Sequence, residues 1–443
     1  MDFLSPNLET ERPNLIDQFK TEANIFLITS YTNQSFYIKS ASLTNEQELT
    51  IIIMPTSADI TSEWLNWKDK NYADSAATLT NDLFPNQTRH LMSEVSAGKY
   101  KVLFLTAETF LYWFSAGSNS MAVEHYRKLA EHNLSKQVYE NAQIILQRTT
   151  RLILCEFELA YAKNNIYKPK YLEVLSLLKE LNKPILGLSW NSSAEVIENI
   201  STLFPSSSII QEQLKLPTIS LNVKYCFSRL EKQKHLVNLL KDSKSTLIYV
   251  SSNEDLTDLV NFIRHKLPNL NFKTLHKHLT PEYKAEALDY FLNDPKPVFI
   301  LNSDLIEGIY RPNIDRLIHY SPPLSLAKFY KDLNIINQNN SIPLTESYLL
   351  ACEDDINLNY AQKDRLSKLY NKEGFSLNID KLKKQFLNWF SEQKDCRWYN
   401  LEKALTPNLN SLEKCGICDL CKGNKASILN VFFMFLAKMK LKA

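Results

Sequence analysis

Four of the chain's seven cysteines stand within 26 residues, as Cys396 and then Cys415-Gly416-Ile417-Cys418-Asp419-Leu420-Cys421, a C-x18-C-x2-C-x2-C pattern. Zinc takes four soft ligands at about 2.3 Å in a tetrahedron. A tight loop can supply three thiolates, and a distant residue can close the shell. Gly416 and Gly423 bracket the loop, where the backbone must turn sharply. Four thiolates leave no position for water, so the chemistry is structural rather than catalytic. The alternative is a set of unrelated free thiols, which has to explain why so sparse a residue type clusters here. Cys155, Cys226 and Cys352 are scattered. That argues for a reducing, cytoplasmic compartment and against a disulfide framework.

Phosphate chemistry is harder to place. The chain has seven glycines, where average usage near 7% would give about thirty. They are Gly98, Gly117, Gly187, Gly308, Gly374, Gly416 and Gly423, and no two lie within four positions. A phosphate-cradling loop needs several close together so that backbone N–H groups can approach the anion. Charge is unevenly spread. Of 51 Lys+Arg and 49 Asp+Glu, residues 361–443 carry 16 and 8, a net of +8, leaving −6 for the first 360. Zinc bound by four thiolates would take about two charges off the tail's excess. A basic tail is compatible with nucleic acid, and equally with a solvated helix face.

These groups must be positioned by a chain of 443 residues, long enough for two or three domains. Short apolar runs alternate with helical stretches. Ile25–Thr29, Thr50–Met54, Lys101–Thr106, Leu152–Cys155 and Pro184–Leu188 read as strands, with a helix over Tyr171–Leu181. The rhythm restarts with Ser245–Val250, a helix over Asp255–Leu267, then Val298–Leu301, Arg316–His319 and Tyr348–Ala351. Continuous rather than alternating hydrophobicity predicts strands covered on both faces, hence parallel α/β sheets. The expected organisation is an α/β domain over 1–205, a connector over 206–234 with Pro217 in it, a second α/β domain over 235–354, and a helical four-cysteine module over 355–443. Losing the module's metal is expected to spare the α/β domains. Trp64 and Trp67 read as helix packing. The N-terminus, Met1-Asp2-Phe3-Leu4-Ser5, has no apolar core and reads as no signal peptide. The longest apolar run, Ile428–Met439, holds Asn430 and Lys438 and is too short to span a bilayer. It reads as a terminal helix on the module rather than a membrane contact.

The order of segments resembles a short RecQ-type superfamily 2 DNA helicase from about Arg12 to Gly423. Leu301-Asn302-Ser303-Asp304-Leu305-Ile306-Glu307-Gly308-Ile309-Tyr310-Arg311-Pro312-Asn313-Ile314 has the spacing of the family's A-T-x-A-F-G-M-G-I-x-K-P-x-V motif. Ile318-His319-Tyr320-Ser321-Pro322-Pro323-Leu324-Ser325 is similar to V-I-H-x-x-x-P-x-S, and Leu275–Leu279 to Y-H-A-G-L. Cys396-Arg397 and the later knuckle match the family's zinc module. The resemblance implies two tandem RecA-like domains followed by a zinc-binding module, and in working members ATP-dependent 3′-to-5′ unwinding.

The catalytic motifs depart from that pattern. The phosphate loop T-G-G-G-K-S falls on Ser30-Tyr31-Thr32-Asn33-Gln34-Ser35, so neutral Gln34 replaces the phosphate-binding lysine and only Ser35, the magnesium-side hydroxyl, matches. R-P-x-Q falls on Arg12-Pro13-Asn14-Leu15, without its glutamine. D-E-A-H falls on Cys155-Glu156-Phe157-Glu158: Cys155 stands at the magnesium-side aspartate, while Glu156 keeps the water-polarising place. The aromatic-rich loop falls on Leu159–Tyr171, with Lys163 at its tryptophan, and T-A-T-A on Ser189–Ser192. Q-x-x-G-R-x-G-R falls on Lys331–Gln338, with Ile335 and Gln338 at the two arginines. Phosphoryl transfer is positioning plus charge stabilisation by lysine, Mg²⁺ and arginine.

The resulting expectation is a catalytically silent RecQ-like protein that does not use ATP or Mg²⁺. Its zinc ligands are Cys396, Cys415, Cys418 and Cys421. Single-stranded or forked DNA, or a repair protein, would be its partner, with Ser251, Ser252, Asn302, Ser303, Lys381, Lys383 and Lys384 as candidate DNA contacts. It is expected to be monomeric and not bound to membranes. The rivals are a working helicase and an interaction scaffold that binds no DNA.

Overall fold

A computed structural model describes residues 18–19, 24–29, 31–42, 49–68, 73–80, 83, 85–115, 121–133, 136–161, 169–189, 194–212, 219–242, 244–276, 279–302, 314–323, 325–336, 345–352, 354–356, 379–392, 394–405 and 414–423. These form two compact units, one running to residue 212 and one from residue 219.

The first unit has strands β1 Asn24–Ile28, β2 Leu49–Met54, β3 Ala76–Leu79, β4 Val102–Thr106, β5 Thr149–Cys155, β6 Ile185–Ser189 and β7 Ser208–Gln211. They lie parallel in the order β3-β4-β2-β5-β6-β1-β7. Every residue of β2 and β4 is buried, as an unbroken apolar run requires. Side chains alternate across a strand, so one strand feeds two cores. Ile51, Ile53, Leu103 and Leu105 enter one core; Ile52, Met54, Val102 and Phe104 enter the other. Helices α1 Tyr31–Ser42 and α2 Ser57–Lys68 cover the second of these. Helices α3 Pro85–Ser96, α4 Ala107–Phe114, α5 Glu124–Asn133, α6 Lys136–Arg148, α7 Pro169–Leu181 and α8 Ala194–Leu203 cover the first. Trp67 is buried, edge-on to Phe104 at 5.4 Å, as expected of a packing residue. Gly187 of β6 is set by close approach, because a Cβ there would collide with the Phe26 ring.

The second unit has β8 Ile219–Tyr225, α9 Arg229–Leu239, β9 Thr246–Val250, α10 Asn253–Lys266, β10 Lys273–Leu275, α11 Pro281–Asn293, β11 Val298–Asn302, β12 Arg316–His319, α12 Leu326–Ile336 and β13 Thr345–Ala351. Its parallel order is β10-β11-β9-β12-β13-β8. Helices α13 Ile379–Phe390 and α14 Arg397–Leu405 follow. They pack within this unit: Trp389 lies on Phe329 at 5.1 Å, and Phe390 meets Tyr225 at 6.2 Å.

The apolar runs read as strands are strands. Those the sequence reading passed over are β3, β7, β8 and β10, each short or at a sheet edge. Segment 206–234 contributes β7 to the first sheet and β8 to the second. In β8, Ile-Ser-Leu-Asn-Val-Lys-Tyr, polar residues interrupt the apolar ones and burial falls off over Asn222, Val223 and Lys224, so it lacks the continuous signature of the central strands. Among the described residues, no helix is long and apolar enough to cross a membrane.

Candidate functional site

The four cysteine sulfurs lie within 4.8 Å of one another. Cys415 Sγ is 3.9 Å from Cys421 Sγ. The edge of a Zn–S₄ tetrahedron is about 3.8 Å, so the spacing suits that ion. The knuckle aims backbone donors at the sulfurs. Cys415 N–H donates to Cys396 Sγ at 3.4 Å, Cys418 N–H to Cys415 Sγ at 3.3 Å, and Cys421 N–H to Cys418 Sγ at 3.4 Å. Gly416 and Gly423 turn the chain in the left-handed region, at φ +70° and +77°. The hydrogen bonds the sulfurs share lower the pKa of Cys396 and raise those of Cys415 and Cys418, as groups sharing protons at close range do. Cys396, Cys415, Cys418 and Cys421 would hold the ion, and its contribution there is cross-linking.

Arg397 fixes this centre to its surroundings. It is buried, with Nη1 facing the carbonyls of Trp389, Phe390 and Glu392 at 3.3, 3.1 and 2.7 Å. It thereby caps the end of α13, while its Nε donates to Asp419 Oδ1 at 3.2 Å. Asp419 then reaches β8. The signal for it was available in the sequence, a carboxylate between the last two ligands.

The second cluster lies at the C-terminal ends of the first sheet's strands, where the phosphate-loop positions fall. Strands run parallel, so residues just after them gather on one edge. Glu212 follows β7 and is buried; it accepts from the hydroxyls of Thr29 and Tyr37. Ser35 Oγ donates to Glu63 Oε1 at 2.7 Å, and Trp67 Nε1 donates to the same oxygen at 2.9 Å. Asp59 and Glu63, one helical turn apart after β2, are buried, as are Glu156 and Glu158 after β5. Cys155 is buried among them. Burial pushes its thiol well above the ordinary range, and Glu63, Glu156, Asp59 and Glu158 add to that. Tyr171 is raised in the same way, by burial first and then by Glu156, Cys155, Asp59 and Glu158. Glu156 sits at φ 55°, ψ 48°, a left-handed conformation that costs a non-glycine residue strain. Gln34 is buried, and its Nε2 makes no hydrogen bond among the described residues. Sequence reasoning singled out Gln34, Ser35, Cys155 and Glu156 but missed Asp59 and Glu63, one turn apart on α2, and Glu212, which parallel strand order brings to the same edge.

In the second unit, the candidate phosphate contacts are engaged internally. Ser252 Oγ accepts from Asp255 N–H at 3.0 Å and caps α10. Ser251 Oγ donates to Asp255 Oδ2 at 3.2 Å, and Asn302 Nδ2 donates to Asn253 Oδ1 at 3.1 Å. Buried Lys232 donates to the Tyr320 carbonyl at 2.9 Å and pairs with Asp355. His319 Nε2 meets Asp332 Oδ2 at 3.2 Å, and Lys328 Nζ meets Asp332 Oδ1 at 2.9 Å. Burial lowers the His319 pKa below its ordinary value. Burial works to raise that of Asp332, but Lys328 and His319 outweigh it and hold it low. On α13, Lys383 is half-buried and Lys384 exposed. Arg12–Leu15, Ser30, Lys163, Trp190–Ser192, Ser303, Gln338 and the run Ile428–Met439 lie outside the described residues, as do the side chains of Tyr31, Thr32, Asn33 and Lys381.

Residues 231–335 match the family described as helicase conserved C-terminal domain. No curated protein matches the chain. Several solved structures share the fold at low identity. S. cerevisiae Dbp5 bound to RNA and ADP BeF3 is 13% identical with a TM-score of 0.56, over 79% of this chain and 87% of that one. Mss116p bound to ssRNA and AMP-PNP is 13% identical with a TM-score of 0.58, over 88% and 89%. The Mycobacterium smegmatis helicase Lhr bound to ssDNA and AMP-PNP is 14% identical with a TM-score of 0.55, over 89% of this chain and 53% of Lhr. The chain therefore has two parallel-sheet domains of the tandem RecA-like helicase fold, the second carrying a helicase C-terminal domain match, and a four-cysteine cluster beyond it.

Proposed function

We propose that this chain is a RecQ-like superfamily 2 protein that binds nucleic acid without turning over ATP. The observation that carries the reading is the carboxylate-lined edge of the first sheet. A phosphate site needs donors and positive charge. Here the hydroxyls of Thr29 and Tyr37 are spent on Glu212, and that of Ser35 on Glu63. Gln34 adds no charge. Asp59, Glu63, Glu156, Glu158 and Glu212 gather on this edge, so it is rich in acceptors where a phosphate would need donors. Cys155 stands at the position of the family's magnesium-side aspartate, so no carboxylate is there to hold Mg²⁺ beside Glu156.

The binding half of the proposal rests on the net +8 of residues 361–443 and on the nucleic acid in the named structural neighbours. Ser251, Ser252, Asn302 and Ser303 with Lys381, Lys383 and Lys384 are its proposed contacts, and zinc at the four cysteines its structural cofactor. A repair-protein partner, a monomeric state and a cytoplasmic site belong to the same reading. The test is titration of labelled single-stranded and forked DNA, with and without ATP. Affinity should be the same in both conditions and fall with salt at a log–log slope of about 0.7 per phosphate contact. DNA-stimulated phosphate release above a Glu156→Gln control would instead make the chain a working helicase. No binding at about 50 mM salt, where phosphate contacts are strong, would make it an interaction scaffold.

A further inference from the structure

β8 is the terminal strand of the second sheet, paired with β13 on one side only. Such an edge presents unpaired N–H and C=O groups to any passing strand. Here the cysteine segment occupies it. Trp398 Nε1 donates to the Ile219 carbonyl at 2.9 Å, and Ser220 Oγ donates to the Ile417 carbonyl at 2.7 Å. Asp419 N–H donates to the Leu221 carbonyl at 2.9 Å, and Val223 N–H donates to Asp419 Oδ2 at 3.1 Å.

The last two bonds form a recognisable pattern. In a parallel ladder, one residue donates to the carbonyl before its partner and accepts from the N–H after it. Asp419 does this around Asn222, with a side-chain oxygen in place of a backbone carbonyl. Its other oxygen is held by Arg397 Nε at 3.2 Å and Leu420 N–H at 2.8 Å. Asp419 lies between Cys418 and Cys421, so the turn that places it is the turn a metal would fix.

We propose that Asp419 is a one-residue surrogate strand and that metal loading of the four cysteines decides whether the edge of the second sheet is sealed or open. The proposal rests on the zinc reading. Arg397 is a positioning residue, acting through Asp419.

The test uses the full chain, with zinc content and hydrogen exchange at the Val223 amide measured together. Zinc-loaded protein should protect Val223. Chelation should speed its exchange at least tenfold, and added zinc should restore protection. Asp419→Ala should retain one zinc per chain yet exchange Val223 as fast as the stripped wild type, and Asp419→Asn, which keeps an acceptor oxygen, should fall between. Reversible chelation of the wild type decides the matter if Asp419→Ala does not fold. Unchanged Val223 protection after zinc is removed overturns the proposal and leaves the metal site standing. Absence of zinc from the purified protein overturns both.

Discussion

The phosphate-loop edge of the first unit and the cysteine knuckle of the second are both turns at the margin of a parallel sheet, and they treat their ligands in opposite ways. The knuckle turns four sulfurs toward one point within 4.8 Å and surrounds them with N–H donors. The loop edge turns its described polar groups on one another, the hydroxyls of Thr29 and Tyr37 to Glu212 and that of Ser35 to Glu63. Beneath the loop edge, Ile25–Ile28 and Cys155 are packed into the sheet's cores. The knuckle is short and polar, has little apolar surface of its own, and is tied to β8 through Asp419 and Ser220. The two edges differ in whether their polar groups satisfy one another or converge on a common point.

The largest expected effect breaks or sharpens that contrast directly. Chelation of the metal, or Cys418→Ser, should lower the second unit's calorimetric midpoint and leave the first unit's unchanged. Structural zinc contributes about 10–16 kcal/mol of apparent binding energy, comparable with the whole stability of a domain. The sequence alone suggested a module whose loss spares both α/β domains, whereas Asp419, Trp398 and Arg397 tie it to β8 and α13. An unchanged second-unit midpoint in zinc-free protein would restore the independent module.

Next in size is Gly187→Ala, which forces a Cβ into the Phe26 ring. Overpacking of this kind costs about 1–3 kcal/mol. The first unit's midpoint should fall by about 2–4 °C per kcal/mol, with the second unaltered. An unchanged first transition would mean that the Phe26–Phe157–Phe204 cluster can repack.

A smaller effect concerns pH. His319 is buried against Asp332, Lys328, Tyr249 and Phe329, and its folded pKa lies below 6.5. The unfolded chain takes up that proton first, so the stability is present above pH 6.5 and is lost as pH falls toward the folded value. Asp332, also depressed, acts in the same direction below its ordinary 3.8. The second unit's melting midpoint should therefore drop between about pH 7 and pH 5.5, and His319→Gln should flatten that slope. A wild-type midpoint that rises on acidification would show that the imidazolium–Asp332 pair outweighs burial.

The smallest expected effect is none. Gln34→Lys should leave ATP turnover at background, because the new ammonium enters an edge already lined by Glu63 and Glu212 and gains neither aspartate nor arginine partners. Measurable phosphate release from this variant would show that one lysine is decisive.

Central strands such as Thr50–Met54 were legible because burial on both faces leaves an unbroken apolar run. Edge strands β7, β8 and β10 were not, since half-covered or very short strands carry no such run. The four-cysteine cluster was legible because its members lie close together in the chain and few residue types suit a zinc site. Glu212, Glu63 and Asp59 were invisible as a group: they are separated by up to 153 positions, and only parallel strand order brings them to one edge.

The amino-acid sequence by itself determined the α/β class, the four ligands and the missing charges of the nucleotide motifs, all of which depend on local pattern or residue identity. What occupies the space of those missing charges, and which sheet the knuckle closes, was decided only by the tertiary structure. Hydrogen-bond partners far apart in the chain are chosen by strand order and edge geometry, and neither is encoded in any one segment.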